Sequence, residues 1–441
     1  MPFISSALTV ALPQIGVELA LEVISLSWVT AAFLLTTTIL ILPFGRIADI
    51  YGRKKIYTYG MIAVAVTSFL ITLVNSGIML IILQLLQGAG GALVFCTSVA
   101  ILTSAFPVGE RGRAMGINVT AVYLGLSLGP FLGGLLTQHL GWRSIFILAG
   151  IVALTVIVLI FLRLKSDWKE AEGEKFDKVG AVIYSLMLGI LVYGFMHLAD
   201  GYGIWLIVAG ILGLWVLTRW EKKTPSPLLD IKLFSRNRGF IFSCLATLIN
   251  YGAASAVMFL LSLYLQYIKG FSPQGAGFIL VALPVIQALF STLAGRLSDH
   301  VQPRFIASAG MAMVAISLLI FIFLREDTSL FYIIAGLVIQ GLGLAFFISP
   351  NINAVMSSVD KKYYGVASGT VATMRYLGMT VNMGIVMLLF TLYIGRFQVT
   401  AEYHDAFLHS LKVAFIISAI LCCFGIAASL VKGKTSEISL H

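Results

Sequence analysis

Charge is scarce in this chain: only 11% of its 441 residues are Asp, Glu, Lys or Arg, and 59% are hydrophobic. Soluble domains run near 25% charged, so the composition excludes a soluble enzyme, a nucleic-acid-binding module and a disordered tail protein. Cysteine is scarce as well. Cys96, Cys244, Cys422 and Cys423 all lie inside apolar runs, without disulfide or metal-ligand spacing, and read as small buried hydrophobes. The chain has no metal-ligand cluster and no Gly-x-x-x-x-Gly-Lys-Ser/Thr loop. It therefore implies no metal, no cofactor and no ATP hydrolysis of its own. Period-two alternation is missing too, which excludes strands as the main element.

What fills the chain is apolar runs. They lie near 1–15, 22–44, 56–75, 77–105, 114–138, 143–162, 177–199, 203–219, 240–267, 274–295, 305–324, 329–357, 366–393 and 407–431. About 20 apolar residues cross a bilayer, so the expectation is an all-α multi-pass membrane protein with 14 spans. The connections fall into two sets. One holds most of the basic residues, including Arg46, Arg53, Lys54, Lys55, Arg111, Arg113, Lys361 and Lys362; the other holds only Arg143, Lys269, Arg325, Arg396 and Lys412. The positive-inside rule places the first set, and with it both termini, in the cytoplasm of a cell membrane. The net charge of +10 is thus a topology signal and implies no nucleic-acid partner. The first run is short: fifteen residues reach only about 22 Å. The sequence reading is a truncated first span, with a native start upstream of Met1.

The chain repeats itself. Gly45-Arg46-Ile47-Ala48-Asp49 corresponds to Gly295-Arg296-Leu297-Ser298-Asp299, and Gln87-Gly88-Ala89-Gly90 to Gln340-Gly341-Leu342-Gly343. Gly112, Ala114, Gly116 and Leu124-Gly125 correspond to Gly365, Ala367, Gly369 and Leu377-Gly378. The reading is two six-span bundles, 1–162 and 240–431, around linker loops with two inserted spans (177–199 and 203–219) in 163–239, and a tail at 432–441. Duplicated halves around a central path are one architecture of secondary transporters.

Three features carry chemistry. After span 2, Gly45, Asp49, Gly52, Arg53 and Lys54 form a tight basic turn, with Gly295 and Asp299 as its second-half counterpart. In span 5, Gly125, Gly129 and Gly133 fall at i, i+4 and i+8, a groove for close backbone approach; Pro130 and Gly134 complete the stretch, and Pro130 removes a backbone donor. Arg375 is the one charge deep in a span, either a substrate counter-ion or gate or a group bonded across a helix interface.

The turn resembles the signature loop of the major facilitator superfamily, and Gly125–Gly134 resembles the Gly-Pro motif of its antiporters. Ala11-Leu12-Pro13, Trp28-Val29-Thr30-Ala31, Tyr264-Leu265-Gln266, the stretch from Gly270 to Gly277 and Leu283-Pro284 resemble its fourteen-span drug:proton antiporters, the multidrug and tetracycline-type efflux transporters. The resemblance covers essentially the whole chain. It implies bundles rocking about a midplane cavity, a peripheral insert, and an Asp49 turn that latches the halves near span 13. It places the cavity on spans 1, 4, 9 and 12, whose polar groups include Gln84, Gln87, Asn250, Tyr251, Gln340 and Asn351. It also leads one to expect an Asp nine residues before Pro13 and an Arg three residues before Gln87. This chain has Ile4 and Gln84 there, and no Asp or Glu at mid-membrane.

The function that follows is export of hydrophobic compounds, cationic or neutral, in exchange for protons, with the lipid bilayer as the surrounding partner. One alternative is a transporter of a specific metabolite, such as an anion drawn to Arg375, with different or no proton coupling. The other is a non-transporting membrane sensor on the same fold.

Overall fold

The computed structural model describes residues 1–107, 110–164, 166–224, 227–228, 237–359, 364–395 and 397–430. Fourteen main helices account for most of them. The first half holds α1 (Pro2–Glu18), α2 (Val23–Tyr51), α3 (Arg53–Ile71), α4 (Gly77–Ala105), α5 (Arg111–Leu140) and α6 (Arg143–Arg163). The insert is α7 (Lys178–Met196) and α8 (Gly203–Glu221). The second half begins with α9, which runs Arg238–Ala254, then Val257–Leu263, then a π-helical turn at Tyr264–Ile268, and α10, made of Pro273–Leu280 and Ala282–His300. It ends with α11 (Pro303–Phe321), α12 (Leu330–Ser357), α13 (Tyr364–Tyr393) and α14 (His404–Leu430). Twelve of the fourteen are long and apolar enough to cross a membrane by length and composition. The other two are α1, with 17 residues, and α3, which opens on Arg53-Lys54-Lys55.

Helix pairing repeats with the sequence. In the first half α1 lies against α5, α2 against α4, and α3 against both α4 and α6. The second half pairs α9 with α13, α10 with α12, and α11 with both α12 and α14. Between the halves α2 meets α13, and its counterpart α10 meets α5. These two seams are the only extensive helix-long contacts that join the bundles among the described residues. They are where a two-bundle machine has to slide.

The insert is only partly peripheral. α8 exposes most of its surface, with 17% of its apolar window buried. α7, however, covers the α2–α13 seam: Tyr184, Met187 and Leu188 sit against Ile39 and Leu42 of α2 and Leu377 of α13.

The two ends of the bundle differ. At the end away from the Gly52 turn the halves are tied directly. Ser262 Oγ donates to the Thr9 carbonyl at 2.8 Å and Gln266 Nε2 to the Val10 carbonyl at 2.9 Å. The Val23 N–H reaches the Phe397 carbonyl at 3.1 Å, and His139 Nε2 lies 3.2 Å from Gln274 Oε1. At the basic end, five of the six residues from Gly116 to Ala121 are exposed. Six successive residues go fully round a helix, so this part of α5 is exposed on all sides but that of the half-buried Asn118. The far end is sealed, and at the basic end α5 stands exposed while α2 and α4 still pack on α13 through Phe44, Phe95, Cys96 and Ala372.

Candidate functional site

The Gly52 turn folds as its composition requires. α2 runs through Asp49 to Tyr51, α3 starts at Arg53, and Gly52 between them sits at φ +115°, a conformation that glycine alone adopts without strain. Asp49 is therefore helical and one turn below Arg53, whose guanidinium it accepts at 2.7–2.8 Å. Arg53 is buried and also donates to Ser104 Oγ at 2.7 Å and Glu170 at 2.6 Å. Lys54 N–H bonds Asp167 at 2.8 Å, its ammonium reaches the Leu164 carbonyl, and Arg46 pairs with Glu174. The Arg53 N–H donates to the Trp168 carbonyl, and the Ala171 N–H to that of Asp49, both at 3.0 Å. The turn is thus tied to the segment after α6. The resemblance points it at span 13, but these contacts go to residues 164–174, because that segment supplies the acids Arg53 and Arg46 need. A Cβ on Gly45 would make only ordinary contact with Cys96 of α4, at 3.6 Å. In the second half, a Cβ on Gly295 would meet Ser349 Oγ at 3.0 Å; the Asp299 side chain lies outside the described residues.

The span-5 glycines divide between two partners. Added Cβ atoms on Gly125, Gly129 and Gly133 would meet Phe3, Ser6 and Ala7 in turn, so one groove of α5 seats α1. Gly134 faces the other way: its Cβ would lie 2.5 Å from the Pro273 carbonyl oxygen and 3.1 Å from Gln274 Cα. A Cβ on Gly277 would run into the Pro130 carbonyl. The second half of the stretch therefore holds α10 of the opposite bundle, backbone to backbone.

The amides mostly hold helices within one bundle. Asn351 Nδ2 donates to Thr247 Oγ1 at 2.7 Å, Gln340 Nε2 to the Ala254 carbonyl at 3.3 Å, and Gln87 Nε2 to Ser68 Oγ at 3.0 Å. Asn250 is fully buried, and neither of its amide atoms has a hydrogen-bond partner in the structure. Ile4 and Gln84 line one small cavity of about 40 Å³ with Leu8, Phe33 and Gln87. The two departures from the family pattern are therefore a single place in the fold. Both are uncharged, so neither leaves a buried ion without its partner.

Arg375 sits on α13, eleven residues from Tyr364, about 16 Å along a 30-residue helix at 1.5 Å per residue. Its guanidinium carbon is 5.0 Å from the Tyr251 ring centroid on α9 and 5.8 Å from that of Tyr376. Tyr376 in turn packs on Phe95 of α4 at 5.3 Å. Tyr123 of α5, close enough to Arg375 to interact with it, accepts a hydrogen bond of 3.2 Å from Ser291 Oγ of α10. Helices of both bundles thus meet around one cation. A charge at the centre of a bilayer costs about 2.5–3.5 kcal/mol on an insertion scale. A cation–π contact returns about 0.5–2 kcal/mol, so two rings recover much of the cost but accept none of the guanidinium hydrogen bonds. Tyr251 and Arg375 were visible in the sequence as candidates. Tyr123, Tyr376 and Ser291 were not, because they stand on α5, α13 and α10, outside the spans that the resemblance makes cavity-lining. The signal available was the Arg375-Tyr376 pair itself, a charge and an amphipathic ring on one helix.

Every acid within the spanning helices stands at an end: Glu18, Asp49, Glu221, Asp299 and Asp405 are all within three residues of a helix terminus.

Comparison with known proteins agrees with this architecture. The Major Facilitator Superfamily pattern matches residues 1–243 and again 243–439. The chain is 28% identical over 421 residues to the riboflavin transporter RibZ of Clostridioides difficile, covering 96% of this chain and 92% of that one. It is 30% identical over 385 residues to the multidrug resistance protein Stp of Mycobacterium tuberculosis, covering 85% and 71%. A crystal structure of the peptide transporter POT superposes with a TM-score of 0.69 at 14% identity, over 97% of this chain and 91% of that one. With two bundles paired alike, a duplicated family match and transporters as its relatives, the chain belongs to the Major Facilitator Superfamily and is a multi-span secondary transporter.

Proposed function

We propose that this transporter exports hydrophobic small molecules across the cell membrane by alternating access, in exchange for protons. The observation that carries the reading is the asymmetry of the bundle: sealed at the far end, with α5 exposed at the basic end and the Arg375–tyrosine cluster between the halves. The positive-inside rule puts the basic end in the cytoplasm, so this is the state in which an exporter loads. Apolar compounds concentrate near the inner leaflet and enter beside α5 on that side. The likeness to a multidrug resistance protein supports export. Proton exchange rests on the resemblance to drug:proton antiporters. With Ile4 and Gln84 in place of a charged pair, its protonation step falls to a carboxylate at a helix end or to the cargo.

Arg375 and the relative named as a riboflavin transporter favour a second reading, a carrier dedicated to one metabolite. Ethidium efflux from vesicles, with a pH gradient imposed and then collapsed by an ionophore, separates the two. Gradient-dependent efflux supports broad proton-coupled export. No efflux of ethidium, nor of fluorescein as its anionic counterpart, from correctly inserted protein overturns it in favour of the dedicated carrier.

A further inference from the structure

Arg375 gives the interior a positive charge that no described side chain answers. Its Nε is buried without a hydrogen-bond partner. None of the ion pairs among the described residues includes Arg375; all of them lie at helix ends or in loops. The rings of Tyr251 and Tyr376 attract the cation through their quadrupoles and carry no net charge to cancel it. The spanning helices place their acids at the two surfaces, out of reach. What stands between the bundles is a planar donor fork beside aromatic faces, with the Tyr123 and Ser291 hydroxyls across the seam. A guanidinium fork matches the in-plane oxygens of a carboxylate or an ionised phenol, and the rings match a flat conjugated body. A cationic guest would be repelled by Arg375 with nothing nearby to compensate.

We propose that the cargo site selects aromatic anions, whose ionised edge pairs with Arg375 while the ring system lies against Tyr251 and Tyr376. The inference rests on the transporter reading above and names the charge of its substrate, which that reading leaves open. It also gives loading a consequence. An empty site that closed at the basic end would bury a lone cation, whereas a loaded one buries a neutral pair, so the anion favours closure over itself.

Two xanthene dyes with a common skeleton and opposite charge, fluorescein (anionic) and rhodamine 123 (cationic), isolate the effect of charge. Their binding to the purified full chain is read by fluorescence anisotropy, and their transport is followed in proteoliposomes. Fluorescein is expected to bind at least about tenfold more tightly than rhodamine 123. Arg375→Gln removes that preference, and Arg375→Lys, a point charge without the fork, keeps part of it. The wild-type preference needs no variant, so a misfolded Arg375→Gln, detected by thermal unfolding, does not shield the proposal. Equal binding, tighter binding of rhodamine 123, or no binding of either dye overturns it. Ethidium efflux without a fluorescein preference sinks the anion site and leaves the export reading standing. Arg375-dependent fluorescein binding with no dye crossing the membrane does the reverse.

Discussion

A single methyl group at Gly134 tests whether α5 and α10 form the far-end seal. An alanine Cβ there would stand 2.5 Å from the Pro273 carbonyl oxygen and 3.1 Å from Gln274 Cα. Ordinary carbon contacts begin near 3.4 Å, and both neighbours are backbone atoms without a rotamer to escape into. The helices must part by roughly 0.5–1 Å, and overpacking of this kind costs about 1–3 kcal/mol. The cost falls only on the state in which the far end is closed. At 1.4 kcal/mol per factor of ten, the balance between the alternating states shifts roughly 5- to 150-fold toward opening at that end. Alanine also raises helix propensity by about 1 kcal/mol, but α5 is helical in both states and that gain cancels. Gly116→Ala is the control, because a Cβ there meets nothing within 4 Å. Spin labels on Leu140 and Phe331, exposed residues of opposite bundles at the far end, report the separation by double electron–electron resonance. Gly134→Ala should raise the long-distance population and Gly116→Ala should leave it unchanged. A Gly134→Ala distance distribution identical to wild type, in folded protein, refutes the seal.

Two other predictions rest on buried polar contacts. Removing the Arg53 guanidinium with Arg53→Gln takes away its bonds to Asp49, Ser104 and Glu170, at about 1.5–3 kcal/mol for each charged bond lost. Segment 164–174 should loosen, with trypsin cutting after Lys169 about tenfold faster or more, while an unchanged digestion rate would mean that Arg53 does not hold the segment. Ile4→Asp places a carboxyl group in the 40 Å³ cavity beside Gln84 and should lower thermal stability in detergent. The pair Ile4→Asp with Gln84→Arg should recover at least half of that loss, and additive losses would show that the two positions do not interact.

The helices were legible because a bilayer forces about 20 apolar residues into each span, and boundaries such as 143–162 against Arg143–Arg163 follow from that length alone. Breaks inside a span were not legible. α9 interrupts its helix at Ser255 and Ala256, and α10 at Val281, both within uniformly apolar sequence, where hydropathy carries no information about backbone geometry. The Gly52 turn could be read because its chemistry is local: a glycine at positive φ and an Asp-Arg pair at i, i+4. Its acidic partners, Asp167, Glu170 and Glu174, looked like any charged linker, since only folding brings residues more than a hundred positions apart into one knot. Arg375 could be located by its charge, but the rings around it come from three helices and depend on which faces those helices turn inward.

The cavity that holds Ile4 and Gln84 bears on how this carrier is energised. Losing only one member of a buried carboxylate–guanidinium pair would strand the other ion, a change that typically costs 3–5 kcal/mol. Losing both leaves a small neutral cavity lined mostly by apolar groups, which is what the structure has. Among the described residues the spanning helices therefore hold no paired acid and base side chains at mid-span, and Arg375 is the one charged side chain deep within them. In such a core the electrical state of the site changes when cargo enters or leaves. An anionic cargo makes the loaded carrier easier to close than the empty one. A neutral cargo leaves both states equally burdened, and a cationic cargo makes loading the obstacle. Under the proposed anion site, coupling rests on the charge of the cargo or on a carboxylate at a helix end, because Ile4 and Gln84 are uncharged.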